Sequence, residues 1–345
     1  MRPIGAGGPA RCRCLPTYSL TVRVWWRRKL STENMTPSPS VAEKWLGKLT
    51  RLRTASGNAQ DGVSGFAPHK PLLLLCLIDL AETEKLSGRV ITRTPELVLR
   101  FRAFGTLVAE RWPSRLQLRL PFYHLKTQGF WEAFTAEMRP ATSPEGCAVC
   151  ELHPEFFALL TDRDFRLKAR LVLIARYFTP VERAAFYELL GIASEQSTGT
   201  NAERVLAKAL ADGRRKGRSA RFQVRVVDDY HHTCALTGYR CFTADGASIV
   251  DAAHIEGWAE TQNDELTNGL ALSKSAHWMF DQGLWSVDDE MRVVVNPRRF
   301  IEAGPDVMQL RSVAGRHLQF DPQAKLRPAV ESLRKHRRRH LGTMG

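Results

Sequence analysis

Residues Leu72-Leu-Leu-Leu-Cys-Leu-Ile-Asp-Leu80 are almost continuously apolar. The run is longer than most buried strands and far short of the about twenty residues that cross a bilayer, so it predicts a buried helix. Pro71 sits at the start of that helix, where its missing N–H leaves no bond unmade. Upstream, Val41–Arg53 has the alternation of an amphipathic helix, and Ala55–Phe66, rich in Gly, Ser, Asn and Asp, predicts a loop. Downstream, Gln117–Trp131 reads as a strand, an extended corner at Pro121 and a second strand. Arg166–Ala193 predicts helix, Ser194–Asn201 a flexible linker, and Ala202–Arg215 a further helix. There are no internal repeats.

The pattern changes after residue 220. Gly246–Ile255 predicts a short apolar strand ending at His254, and Gly257–Thr267 a polar loop closed by Asn268-Gly269. Leu270-Ala-Leu-Ser leads into a helix with Ser273 or Ser275 as N-cap, and a new strand begins at Leu284-Trp-Ser-Val. His277 and Asp281 are four residues apart in that helix, so they share a face. Trp278 and Phe280 beside them read as core.

A His, an Asn, a second His and an Asp thus fall within about thirty residues. That inventory suits phosphodiester hydrolysis with one metal ion. His254 is the candidate general base, because a neutral imidazole takes a proton near neutral pH. Asn268 cannot titrate but can bond a His ring or brace a loop, which makes it the candidate orienter and, with His254 and His277, a candidate catalytic residue. His277 and Asp281 offer nitrogen and oxygen donors that suit magnesium, manganese, nickel or zinc. Singly, each of these residues is more often structural than functional; their order and spacing together favour the site.

These residues resemble a known family. Tyr230-His-His-Thr-Cys234-Ala-Leu-Thr-Gly238, Ala252-Ala-His254-Ile255, Asn268-Gly-Leu-Ala-Leu and His277-x-x-Phe280-Asp281-x-Gly283 look like the HNH endonucleases of bacterial restriction proteins over residues 221–295. The resemblance implies a ββα-metal fold in which His254 is the base, Asn268 is structural, and His277 binds one divalent metal, joined by Asp281. Many members have Asp or His directly before the base, where this chain has Ala253. They also often carry paired Cys-x-x-Cys zinc ligands, where this chain has only Cys234 and Cys241. The expectation is that both cysteines are core residues and that structural zinc is absent.

In the N-terminal half, Ala67-Pro-His69-Lys70-Pro-Leu-Leu-Leu-Leu and Leu120-Pro-Phe-Tyr-His-Leu-x-x-x-Gly-Phe-Trp131 resemble the sulfur-binding domains of type IV restriction enzymes. Those domains read phosphorothioate DNA through a shallow apolar pocket. The resemblance implies DNA contact by His69, Lys70, Arg119, Leu120, Pro121, Phe122, Tyr123 and His124. Independently, His69 and Lys70 fall at a helix N-terminus, where N–H groups and the dipole favour an anion. Two positions differ from the common pattern, Leu120 for Tyr and Gln128 for Asp.

Composition adds three things. A net charge of +14 on 345 residues favours a polyanionic partner, although residues 1–40 and 325–345 carry +6 each and the rest only +2. The more pointed feature is Arg214-Arg-Lys-Gly-Arg218 with Arg221 and Arg225, just ahead of the nuclease motif, where phosphates flanking a cut would lie. Seven cysteines without a framework pattern suit a reducing cytoplasm. Cys147-Ala-Val-Cys150 with His153 offers three metal donors and no evident fourth.

The expected class is α+β: a basic leader over 1–40, a DNA-reader domain over 41–165, a helical linker over 166–220, a ββα-metal nuclease over 221–300 and a basic C-terminal extension over 301–345. Residues 1–34 read as an overextended start, with Met35 as the alternative start, or as an Arg-rich transit peptide. The expected activity is modification-dependent cutting of double-stranded DNA, with no membrane partner and a homodimer where both strands are cut. Two alternatives stand beside it: a reader of another mark or sequence, and a non-catalytic DNA-binding protein with a decayed nuclease fold.

Overall fold

The computed structural model describes residues 39–55, 65–113, 116–193 and 201–341. Nearly all of the basic leader, most of the 55–66 loop and residues 194–200 of the expected linker lie outside them. The first half contains α1 (Pro39–Thr50), α2 (His69–Glu82), β1 (Val90–Thr92), α3 (Pro95–Thr106), α4 (Arg119–His124), β2 (Trp131–Phe134), β3 (Val149–Leu152), α5 (Pro154–Leu160), α6 (Arg163–Tyr177) and α7 (Pro180–Leu190). The strands form one antiparallel sheet in the order β1-β3-β2, with Ile91 and Ala133 both opposite Cys150. The apolar run from Pro71 to Leu80 is buried along its whole length in α2, as its composition predicts for a helix with no solvent face.

The segment 117–131 differs from expectation. Leu120-Pro-Phe lies in the first turns of α4 and not in an extended corner. Pro121 occupies the third position of that helix, where a residue has no intrahelical N–H bond to lose. A 3₁₀ turn over Leu125–Gln128 follows, and Gly129 at φ 71 reverses the chain into β2.

Helix α8 (Asn201–Asp229) is twice as long as the helix read from sequence. Its interior glycines look like breakers. Gly217 is instead a contact point: a Cβ there would lie 2.1 Å from the backbone oxygen of Ala185 in α7. The two helices approach as closely as they do because that side chain is missing. The helices of the expected linker are therefore packed. Leu173, Ile174, Phe186, Ala220 and Val224 all belong to the first hydrophobic core.

The same helix starts the second core with Phe222, Val226 and Val227. Around it lie β4 (Val250–His254), α9 (Trp258–Thr261), β5 (Gly269–Ser273), α10 (Lys274–Asp281), β6 (Trp285–Val287), β7 (Val293–Val295) and α11 (Val330–Leu341). Strands β4 and β5 pair antiparallel with His254 opposite Gly269. Gly269 has no room for a side chain, since a Cβ would meet Val226 at 2.6 Å. The expected basic extension is a folded helix at its end. Leu333, His336 and Leu341 of α11 are buried while its arginines face outward, an amphipathic division that the charge count conceals.

Both cores lie within one compact unit, and a buried ionic cluster joins them. Arg100 of α3 is fully buried. Its Nε donates to Asp79 of α2 at 2.8 Å, and its Nη2 to Asp228 of α8 at 2.7 Å and to Thr83 at 3.1 Å. Lys85 lies 3.3 Å from Asp228. Burial pushes the Asp228 carboxyl up, but the charges and hydrogen bonds of Arg100 and Lys85 together outweigh it and leave Asp228 below its ordinary range. A depressed folded carboxylate adds stability that is present at neutral pH and lost as pH falls through the folded value. Arg100→Ala removes the group that bridges two buried carboxylates, leaving Asp228 with Lys85 and Asp79 with the more distant Arg225 and Arg170. The expected loss is about 3–5 kcal/mol, read as a lower urea midpoint for both cores together.

Candidate active site

His254 is the last residue of β4, and two contacts fix its ring. It stacks on Phe222 of α8 with centroids 3.9 Å apart and planes within 5°. Its Nε2 lies 3.1 Å from Oδ1 of Asp264. An ionised carboxylate only accepts, so Nε2 carries the proton in this pair and the free lone pair is on Nδ1. Asp264 is held in turn by the Trp258 indole N–H at 3.1 Å. This is the base-and-orienter arrangement of hydrolytic sites, a His whose tautomer is set by a buried acid. Asp264 sits in the polar loop, where no spacing rule singles it out, and sequence reasoning missed it.

Asn268 is buried and does not touch His254. Its Oδ1 accepts from the Glu256 N–H at 2.9 Å, and its Nδ2 donates to the carbonyls of Glu256 and Asn263 at 3.2 and 3.0 Å. It staples the loop between the strands, the loop-bracing option of the two open to it. The loop so held carries Trp258 and Asp264.

On α10, His277 Nε2 and Asp281 Oδ2 are 3.5 Å apart. Both are solvent-accessible, and one nitrogen with one carboxylate fits a divalent cation completed by water and phosphate oxygens. Among the described residues no cluster of three or more His, Cys, Asp or Glu side chains is arranged for a metal. That agrees with Ala253, fully buried where a further ligand would stand. Asp251 is instead paired with Lys274. Cys147 and Cys150 lie 3.8 Å apart in the first core, and His153 Nδ1 accepts the N-terminal N–H of Glu155 in α5. Cys234 is buried and Cys241 half-buried, and both are free.

His254 and Asp281 open into one cavity of about 340 Å³, whose far wall is α11 with Lys335, His336, Arg339 and His340. Nothing in the sequence placed the C-terminal helix here. His336 stacks on Phe280 at 3.8 Å and its Nδ1 lies 2.9 Å from Ser286 Oγ. Burial, then the neighbouring His340, pushes its pKa down to about 3, so it is a neutral packing residue. His277 faces the other way, into a groove of about 720 Å³ lined by Arg215, Lys216, Gln223, Asp251 and Trp258. Trp278, expected in the core, is 61% exposed.

The sequence profile of the HNH endonucleases matches residues 234–288, the span that holds all of these groups except α11 and α8. The chain carries an HNH endonuclease domain. A solved structure, the modification-dependent TagI restriction endonuclease, is 22% identical over 36% of this chain and 38% of its own, with a TM-score of 0.29. No curated protein matches the chain.

The residues singled out in the first half separate into two groups. His69, Lys70, Leu120, Pro121 and His124 come together with Arg53, Thr54, Ala55 and Ala67 around a cavity of about 160 Å³. Lys70 Nζ donates to the Arg53 carbonyl at 2.6 Å. Burial lowers the pKa of His69; burial, then Lys70 and Lys126, lowers that of His124, so both are neutral at pH 7. The Thr54 hydroxyl is buried without a hydrogen-bond partner. The others do not join them. Phe122 is fully buried, its carbonyl accepting from Trp131 Nε1 at 2.8 Å, and so cannot contact a ligand. Tyr123 donates to the Thr142 carbonyl at 2.8 Å. Arg119 pairs with Glu145 at 2.6 Å and lines a separate cavity of about 700 Å³.

In the HNH domain, Asp264→Ala removes the acceptor that fixes the His254 ring while leaving His254 itself. DNA cutting is expected to fall roughly ten- to hundred-fold with thermal stability nearly unchanged, measured as single-turnover cleavage of a duplex.

Proposed function

We propose that this chain is a modification-dependent DNA endonuclease: its N-terminal half reads a phosphorothioate in the backbone, and its HNH domain hydrolyses a nearby phosphodiester. The observation that carries the reading is the convergence of two distant segments, 69–70 and 120–124, on one small pocket. One side is apolar, formed by Ala55, Ala67, Leu120 and Pro121. The other is cationic, formed by Arg53 and Lys70. Sulfur is larger and less strongly hydrated than oxygen. An apolar wall strips water from an ordinary phosphate oxygen without replacing it, and so penalises the unmodified backbone. The cations satisfy the charge that remains.

In the HNH domain His254 takes a proton from the attacking water at Nδ1, with Asp264 stabilising the imidazolium that forms. A divalent ion held by His277 and Asp281 would stabilise negative charge developing on the phosphate. With one such site per chain, cutting both strands calls for two copies or two successive cuts.

A second reading has its own support. The 700 Å³ cavity, floored by Phe101 and Trp112 and rimmed by Arg93, Arg102 and Arg119, has room for a nucleobase, which favours a base mark. Matched duplexes, one plain and one with a stereodefined phosphorothioate, separate the two when incubated with the full chain with and without manganese. Metal-dependent cutting of the sulfur-bearing duplex alone is expected. Equal cutting of both discards sulfur recognition and keeps the nuclease. His254→Ala is expected to abolish cutting by at least a hundredfold while binding the same duplex with unchanged affinity, because the base contributes to chemistry and not to association. Normal cleavage by that variant would sink the assignment of the base.

A further inference from the structure

Helix α10 divides its residues sharply. Ala276 and Phe280 fill the second core, and Phe280 alone satisfies the aromatic stack with Trp285 and His336. The opposite stripe, Lys274, His277, Trp278 and Asp281, faces solvent. Trp278 is the outlier among them. Its side chain is the largest apolar surface the helix owns, it is 61% exposed, and among the described residues no ring or cation packs on it. The core is complete without it. A large apolar ring held in water on the face that carries a candidate metal pair is more than a scattered surface hydrophobe.

From this position we infer that Trp278 stacks on a nucleobase beside the scissile phosphate and so sets which phosphodiester enters the HNH site. The inference rests on the nuclease reading above and is independent of which mark is read. Adjacent helical residues project about 100° apart. A nucleotide whose phosphate faces His277 can therefore reach Trp278 with its base. The surroundings suit a polyanion: the groove into which His277 opens is lined by Arg215 and Lys216 of α8. Stacking on an aromatic face tolerates any base, as required of a residue that positions a strand without reading its sequence.

The test uses the full chain, with calcium in place of a catalytic metal, and duplexes carrying 2-aminopurine at successive positions around the mapped cut. One position is expected to change fluorescence on binding wild-type protein and Trp278→Phe, and to lose that change with Trp278→Leu. An effect on folding would not discriminate Phe from Leu at an exposed site. Cleavage by Trp278→Leu is expected to fall roughly five- to hundred-fold in kcat/KM, with Trp278→Phe within about threefold of wild type. Wild-type cutting and binding by Trp278→Leu, with no position responding, overturns the stacking while leaving the nuclease intact. A change confined to self-association assigns Trp278 to a protein interface and also overturns it. Failure of the wild-type chain to bind DNA overturns both readings.

Discussion

Arg100 is a fully buried charge that neither hydrophobic core could hold alone. Its desolvation cost is offset only when both carboxylates, Asp79 from the first core and Asp228 from the helix entering the second, are in place at 2.8 and 2.7 Å. The two cores are therefore not beads on a tether. Sliding one past the other would strand a guanidinium or a carboxylate in an apolar interior. The penalty for that exceeds what contacts on a polar surface could return. The 160 Å³ pocket and the HNH cleft are then held at a fixed separation. On the reading proposed above, such a frame cuts at one offset from its mark and not over a range.

Helix α8 carries this constraint through the molecule. It packs on α7 at Gly213 and Gly217, supplies Ala220 and Val224 to the first core, and from its other side supplies Phe222, Val226 and Val227 to the second. Phe222 is also the plate on which His254 lies. One rigid element thus reaches from the first core to the ring of the candidate base. The absent side chain at Gly217 lets it sit close enough to α7 to do so.

What could be read from the sequence follows from range. The strand, loop, strand and helix around His254, Asn268, His277 and Asp281 are local, and the geometry of each depends on neighbours within thirty residues. Asn268, read as the orienter of the base, instead braces the loop through backbone groups of Glu256 and Asn263, because an amide side chain suits either use and only the fold chooses between them. Three features depended on contacts beyond that range. Asp264 is one of several acids in a loop, and only the fold brings it to His254. Helix α11 looks like a solvated basic tail because its apolar stripe is just Leu333, His336 and Leu341. Trp278 was placed in the core by residue type, yet the helix already had Phe280 for that purpose. The strand expected over 117–131 failed for a different reason: Pro121 disfavours strand interiors and helix interiors alike, and only its position in the first turn decides between them.

The charges around His254 argue further about what must happen there. Of the cations on the far wall, Lys335 pairs with Glu256 and Arg339 with Glu260. His336 is held neutral, and burial, then Arg339 and Arg299, lowers His340 as well. Asp281 has no Lys or Arg partner among the described residues, with His277 beside it and His340 nearby. A phosphate entering this cavity would meet an uncompensated carboxylate. On the reading proposed above, a divalent cation held by His277 and Asp281 would reverse the local sign and turn the obstacle into an anchor. On that reading, His277, Asp281 and the neutral histidines of α11 would form one electrostatic arrangement, in which the cleft is unfavourable to DNA until a cation is bound.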